Sequence, residues 1–398
     1  MKHWKEAATV ILAASIRQNG RVKMPIAATS KIQPNQESPN VAPFDYKVLM
    51  LQRTHRSSFF AGAQVFPGGG IDEADFSPKW MELFAEAGIK TLADFGPMVN
   101  ISQNSRPPMI AVHRDSPIPS DIAFRICAIR ETFEESGVLL VKPFSHLTTT
   151  KAPSAVQFGQ HKLLGTSEAA NLKVSKEWRQ RVHKNASAFL DLCREYKSLP
   201  DVWSLAEWSN WLTPSDLPKK RYDTMFYLCC METLPAANMD NKEIIQSQWL
   251  TPSQSLTQFV EEEYFLPPPQ VYELQRLCRF QTLSELFSFS QQRALLGCLQ
   301  YLPVRMNCND GVISLLPGDS MYPKKPVFEN IQGENIPVLD ESIQDNTDQN
   351  SSQLNRQTFA LGTRSVSTCR SVCSITHPNG HCSPLPLDEC IDSIKSKL

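Results

Sequence analysis

The sequence predicts an α+β fold, on three observations. Apolar runs of strand length open the chain at Trp4–Ser15 and Tyr46–Gln52 and return at Trp208–Leu212 and Thr224–Met231. A helical pattern, Ser120 to Gly137, stands between the two pairs. Further helical patterns then follow one another instead of alternating with strands.

Trp4–Ser15 reads as a buried opening strand; Ala7–Ile16 also resembles a signal-peptide core, but Glu6 interrupts its basic flank and no clean cleavage site follows. Pro25–Pro43 is polar and proline-containing, hence a loop. Tyr46–Gln52 is the second strand, and Phe66-Pro67-Gly68-Gly69-Gly70 is a glycine loop. Residues 71–119 are irregular, with a short helix near Lys79–Ala87, and read as an insertion.

Ser120-Asp121 offers an N-cap to a helix whose stripe Ile122, Ile126, Ile129 and Phe133 buries one face. Gly137 stops it, and Val138–Val141 is a short strand. Trp178–Tyr196 reads as one amphipathic helix. Thr224–Met231 is nearly all apolar and therefore a central strand. Glu243–Leu250 is a further strand; Ser253–Glu263, Gln270–Arg279 and Gln291–Tyr301 are helices. Trp211-Leu212-Thr213-Pro214 is echoed at Trp249-Leu250-Thr251-Pro252, and both copies look like strand exits. Beyond residue 322 Asn, Gln, Ser, Asp and Pro dominate, so 1–322 is expected to fold and 323–398 to be a disordered tail.

The helix from Ser120 ends in Arg130-Glu131-Thr132-Phe133-Glu134-Glu135-Ser136-Gly137. Glu131, Glu134 and Glu135 stand at i, i+3 and i+4, so their carboxylates share a face. They crowd the helix C-terminus, where the macrodipole is already negative and each acid costs about 0.3–1 kcal/mol. An acid cluster is ordinarily a solvated surface. Here the placement calls for a missing positive charge, most simply a divalent metal, with Arg130 able to hold a carboxylate in a bidentate pair.

With 398 residues and 41% hydrophobic composition the chain can build one large domain or two smaller ones. A net charge of −1 gives no basic field for nucleic acid, and no apolar run is long enough to span a membrane. The 11 cysteines are scattered, with no Cys-x-x-Cys pair, which favours a reducing compartment without a zinc site. Cys229-Cys230 lies in an apolar run and reads as core. Ser396-Lys397-Leu398 is a peroxisomal import address, read by a receptor at a free C-terminus, and peroxisomal matrix is the expected location.

Arg130 to Val138 resembles the second half of the Nudix hydrolase signature, Gly-x5-Glu-x7-Arg-Glu-U-x-Glu-Glu-x-Gly-U, with Thr132 at an aliphatic (U) place. Gly69 aligns with its first glycine. Gly69 to Arg130 is 61 positions where the signature has 14, so about 47 residues are inserted. Asp75 falls at the offset of the signature's first Glu. The segment Val48–Gly69, with Arg53, Arg56 and Gly62-x3-Phe66-Pro67-Gly68-Gly69, resembles loosely the motif that precedes this box in coenzyme A diphosphatases. Arg221-Tyr222-Asp223-Thr224-x-Phe226 is similar to a strand of that branch.

The resemblance implies a Nudix-type α/β/α sandwich with a mixed β-sheet, split by the insertion at 71–119. It implies metal ligation by Glu131, Glu134 and Glu135 with Mg²⁺ or Mn²⁺, and an orienting role for Arg130. Gly68 and Gly69 would approach the substrate, and Arg53 and Arg56 would meet its phosphates. Glu243 is the candidate later-loop base, with Glu261-Glu262-Glu263 a rival that reads better as a solvated helix end. The implied reaction cuts coenzyme A or acyl-coenzyme A into 3′,5′-ADP and (acyl-)4′-phosphopantetheine. The alternatives are another nucleoside diphosphate derivative such as NADH or ADP-ribose, or a non-catalytic binding protein. The missing four-cysteine zinc ribbon speaks against NADH, and the intact acids speak against a silent fold.

Overall fold

The computed structural model describes residues 4–16, 44–55, 60–100, 106–112, 114–147, 174–217, 220–235, 244–328, 336–350, 352–360 and 369–395. Arg56, Glu243 and Ser396-Lys397-Leu398 lie outside them, as does the loop expected at 25–43.

The first half runs β1 (Lys5–Ser15), β2 (Tyr46–Arg53), β3 (Gln64–Val65), β4 (Gly68–Gly70), α1 (Lys79–Glu86), α2 (Pro108–Ala111), α3 (Ser120–Ser136), β5 (Val141–Pro143) and α4 (Phe144–Leu147). Then follow α5 (Lys176–Lys184), α6 (Ala188–Glu195), β6 (Ser198–Pro200), β7 (Ala206–Leu212), β8 (Tyr222–Met231), β9 (Ile244–Leu250), α7 (Pro252–Val260), α8 (Pro268–Leu277) and α9 (Leu283–Ala294). The last part holds β10 (Gln300–Tyr301), β11 (Val304–Cys308), β12 (Gly311–Leu315), α10 (Ile343–Gln349), β13 (Asn355–Ala360), β14 (Arg370–Cys373) and α11 (Leu387–Lys395).

The central sheet is mixed, in the order β10-β7-β8-β1-β2-β3. β1 runs parallel to β8 along ten residue pairs. Its other edge is shared: Ala13–Ser15 pair antiparallel with β2, and Ala7–Thr9 pair with Gly70–Gly68 of β4. That division seats the glycine loop beside the start of the central strand. β1 is buried on both faces, as a sheet covered by helices requires. Ala8, Val10, Leu12 and Ala14 join the core beneath α3, while Ile11 and Ala13 join the core beneath α7, α8 and α9. The layers are therefore helices, sheet, helices. No helix among the described residues is long and apolar enough to cross a membrane.

The insertion is packed, not peripheral. Trp80, Leu83, Phe84, Phe95, Met109 and Ile110 are buried in the same core as Ile122, Ile126 and Ile129 of α3. The helix expected near Lys79 is α1.

Four expectations need correction. Trp178–Tyr196 is two helices, because Asn185 leaves helical geometry between α5 and α6. The helix expected over Gln291–Tyr301 is the end of α9, followed by strand β10. At the start of α3 neither Ser120 nor Asp121 caps; Ser120 Oγ donates to Val112 O and Asp121 pairs with Arg125. The strand at Val138 begins at Val141.

The largest correction concerns the tail. β11, β12, β13 and β14 form a second, antiparallel sheet in that order. β12 pairs with β13 from Gly311↔Ala360 to Leu315↔Arg356, so a boundary at 322/323 would cut one sheet in two. Arg356 makes a two-pronged pair with Asp319, Nε–Oδ2 and Nη2–Oδ1 both at 2.7 Å and both side chains fully buried. α11 packs on α7, where Ser253 Oγ donates to Cys390 O at 2.6 Å.

Candidate active site

α3 carries the acids, and its surroundings are set by its sequence. Its apolar stripe lies in the core as expected. Thr132, in the aliphatic place, is also buried and returns its hydroxyl to Ala128 O at 2.7 Å, so it adds no unpaired donor. Gly137 closes the helix with φ 76°, its N–H on Phe133 O.

The glutamate face is not solvated surface. Glu134 and Glu135 are 7% and 4% exposed, and the Glu131 side chain 16%. They meet the glycine loop. Gly68 N–H donates to Glu135 Oε2 at 2.9 Å. A Cβ on Gly69 would lie 2.4 Å from the Glu131 carboxyl carbon, so only glycine lets the loop come this close. A Cβ on Gly68 would likewise strike Ala8 O and Thr9 Oγ1 of β1.

Arg130 organises the cluster, though not as the sequence alone suggested. Its bidentate partner is Asp75, with Nε–Oδ1 and Nη2–Oδ2 both at 2.9 Å. Its Nη1 bridges Glu131 Oε1 at 2.8 Å and Glu134 Oε1 at 2.7 Å. Asp75 sits in a capped 3₁₀ turn, where its carboxylate also accepts from Asp72 N–H. The residue at the signature's offset, in the first residues of the insertion, thus meets the box at Arg130. Burial alone would lower the Arg130 pKa, yet the surrounding acids, Asp75 foremost, raise it. Burial pushes Glu131 up to about 7, against the pull of Arg130 and with the push of Glu134.

Sequence reasoning missed two neighbours, both on α5. Arg179 Nε donates to Glu134 O at 2.9 Å, meeting a carbonyl at the end of α3. His183 Nδ1 lies 3.4 Å from Glu134 Oε2. Their i, i+4 spacing put them on one face of a predicted helix, but nothing in the sequence aimed that face at α3.

A cavity of about 1000 Å³ opens from the glutamates. Gly68–Gly70, Arg53, His183, Lys184 and Asn185 line its near end, and Tyr222, Thr224 and Phe226 of the β8 motif lie along it. Glu261, Glu262 and Glu263 are exposed at the end of α7, the solvated reading.

Among the described residues no three His, Cys, Asp or Glu side chains enclose a metal as they stand. Arg130 occupies the gap between Glu131 and Glu134. The donor set still fits a hard divalent ion. Such ions use one or two carboxylates with waters and substrate phosphates, not a closed protein cage. Asp75, Glu131, Glu134 and Glu135 bring four carboxylates together at the mouth of the cavity, with Arg130 bridging three of them and His183 beside Glu134.

Helices on both faces of a mixed sheet, a glycine cradle and a helix-borne acid face define the chain as a Nudix hydrolase, a class that works with divalent metal ions. The NUDT19 Nudix domain profile matches residues 4–277 and the NUDT19 C-terminal domain profile residues 305–367. Accordingly, the chain belongs to the NUDT19 family of Nudix hydrolases. It is 42% identical to a Gallus gallus protein named acyl-coenzyme A diphosphatase NUDT19, over 82% of each chain. It is 37% identical to the Homo sapiens protein of that name, over 80% of each. A crystal structure of a Nudix hydrolase from Alicyclobacillus acidocaldarius is 19% identical, with a TM-score of 0.45, over 72% of this chain and 95% of that one.

Proposed function

We propose that this chain hydrolyses the diphosphate bond of coenzyme A and acyl-coenzyme A, releasing 3′,5′-ADP and (acyl-)4′-phosphopantetheine. The relatives' name supports the substrate, and the group of buried carboxylates at the mouth of a large cavity carries the chemistry. Glu131, Glu134 and Glu135 would hold Mg²⁺ or Mn²⁺. When bound, the ion neutralises the diphosphate and lowers the pKa of a bound water. Arg130, fixed by Asp75, keeps Glu131 and Glu134 aimed while the ion is absent. Gly68 and Gly69 let a diphosphate approach the backbone, and Arg53 stands in the cavity wall to meet a phosphate. Lys184 is a second wall cation that the sequence reading did not name.

Product analysis on coenzyme A, an acyl-coenzyme A, NADH and ADP-ribose, with and without Mg²⁺ or Mn²⁺, tests this. The expected product is 3′,5′-ADP, dependent on metal and lost in Glu134→Gln. Preference for NADH, or an undiminished variant, overturns it. Delivery to the peroxisomal matrix by the import receptor is proposed from Ser396-Lys397-Leu398. Removing Leu398 should leave the protein cytosolic; continued import refutes it.

A further inference from the structure

The junction of α5 and α6 supplies part of the cavity wall through His183, Lys184, Asn185 and Ala186. α5 ends at Lys184, Asn185 turns extended with φ −153° and ψ 108°, and α6 begins at Ala188. Arg179 and His183 dock this end of α5 on Glu134, so the junction stands beside the acid face. Asn185 Oδ1 accepts from Ser187 N–H at 3.1 Å and from Ser187 Oγ at 2.8 Å. Those bonds fix the turn. They leave the Asn185 amide nitrogen, a donor, without a partner among the described residues.

The other cations of the wall are spoken for. Arg130 is held by Asp75, Glu131 and Glu134, and Arg305 pairs with Asp216 at 2.9 Å. Arg53 ends β2, whose neighbour β3 leads into the glycine loop, so Arg53 suits the diphosphate itself. Lys184 differs. It is exposed, it lines the same space, and no carboxylate among the described residues pairs with it. Its chain neighbour His183 does reach Glu134. A lysine close enough to touch a diphosphate on the acid face would be close enough to pair with an acid. Lys184 stands off from all of them, where a second anionic group would lie, set apart from the scissile bond. Lysine suits such a group as a compact point charge that makes a charge-assisted hydrogen bond to a phosphate. Coenzyme A carries one such group, the 3′-phosphate of its ribose; NADH and ADP-ribose do not.

We propose that Lys184, with the Asn185 amide nitrogen beside it, reads the 3′-phosphate of coenzyme A. This rests on the coenzyme A reading above. The end of α5 then has two tasks: Arg179 and His183 steady Glu134, and the next two residues select the nucleotide.

The test uses the full-length, metal-loaded enzyme with coenzyme A and with dephospho-coenzyme A, which lacks the 3′-phosphate. Wild type should have a KM for coenzyme A about tenfold below that for dephospho-coenzyme A, the scale of one hydrogen bond to a charged group. Lys184→Met should raise the KM for coenzyme A to the dephospho-coenzyme A value, with kcat kept. Calorimetric binding of 3′,5′-ADP should weaken by the same factor, and binding of 5′-AMP should not change. Lys184→Arg keeps the charge and should keep most of the preference. Equal losses on both substrates would mean that Lys184 meets the diphosphate. Unchanged KM values, or a wild type without preference, would mean that it is a solvated charge. Lys184→Arg failing as deeply as Lys184→Met would mean that packing at the helix end, not charge, made the difference. Each of these overturns the proposal. Wild-type enzyme that cleaves neither substrate defeats the functional reading itself, a separable outcome.

Discussion

The two ends of α3 are both built from buried charge, and they are built differently. At the N-terminal end Asp121 and Glu207 meet Arg106 and Arg125. Arg106 joins both acids, and Arg125 Nε lies 3.0 Å from Asp121 Oδ1. Arg293 adds bonds only to the Glu207 and Trp208 carbonyls, so two carboxylates face two arginines. At the C-terminal end four carboxylates, Asp75, Glu131, Glu134 and Glu135, face Arg130 and, through a backbone carbonyl, Arg179. The first end is sealed, its side chains at most 5% exposed, and the second opens on the cavity. A balanced cluster holds a helix in place. Carboxylates gathered beside an open cavity can instead meet a divalent ion, which is the arrangement a metal-dependent hydrolase needs.

The comparison breaks most decisively at Glu134. Glu134→Gln should lower kcat by at least about 10³-fold, some 4 kcal/mol, because a ligand charge is lost. The metal-free protein should nonetheless melt no lower, since a like charge has been removed. A variant that loses both activity and stability would make the acid face structural.

The other end should answer in the opposite way. Arg106→Met leaves Asp121 and Glu207 with less than their counter-charge, and a broken buried pair costs about 3 kcal/mol. Thermal unfolding should report that loss, while activity per folded molecule stays near wild type. Arg106 comes from the insertion, so the same measurement asks whether those residues serve as a clamp on α3.

How much of this was legible differs along the chain. α3, its stripe, its acid face and its stop at Gly137 could be read because all are local and periodic. The glycine loop was legible as a close approach, though not what it approaches. Asp75 was placed only by its offset; its pairing with Arg130 depends on a fold that returns the chain after 55 residues. The C-terminal sheet was misread for a physical reason. Asn355 and Arg356 are fully buried, and their polarity is met internally, by Asp319, Asn346 and Pro317 among others. Composition equates such polarity with solvent, and it cannot register a buried hydrogen-bond network.

Asp223 lies between the two cases: a buried carboxylate held by an amide, Asn210 Nδ2 at 2.7 Å. Burial pushes its pKa up to about 6. A carboxyl group with a folded pKa above its unfolded one binds more protons when folded. Stability should therefore fall as pH rises from about 4 to about 6, by about 2 kcal/mol. Asp223→Asn keeps the acceptor and removes the charge, so it should flatten that slope and be more stable than wild type at pH 7. Denaturant melts at pH 4 and pH 7 check it; an unchanged slope would mean that Asn210 satisfies the charged form as well as an arginine does.

The finest test lies at the joint between the insertion and the metal face. Asp75→Asn keeps one oxygen for Arg130 and an acceptor for the Asp72 N–H, but it withdraws the charge that holds the guanidinium. Arg130 then pulls harder on Glu131 and Glu134 and competes with the ion. The metal concentration for half-maximal activity should rise about tenfold, the low end for removing a supporting partner, and kcat should recover at saturating metal. A kcat that no metal restores would place Asp75 in the chemistry itself. An unchanged metal requirement would show that Arg130 is held well enough by the glutamates alone, and that the insertion contributes no charge to the metal face.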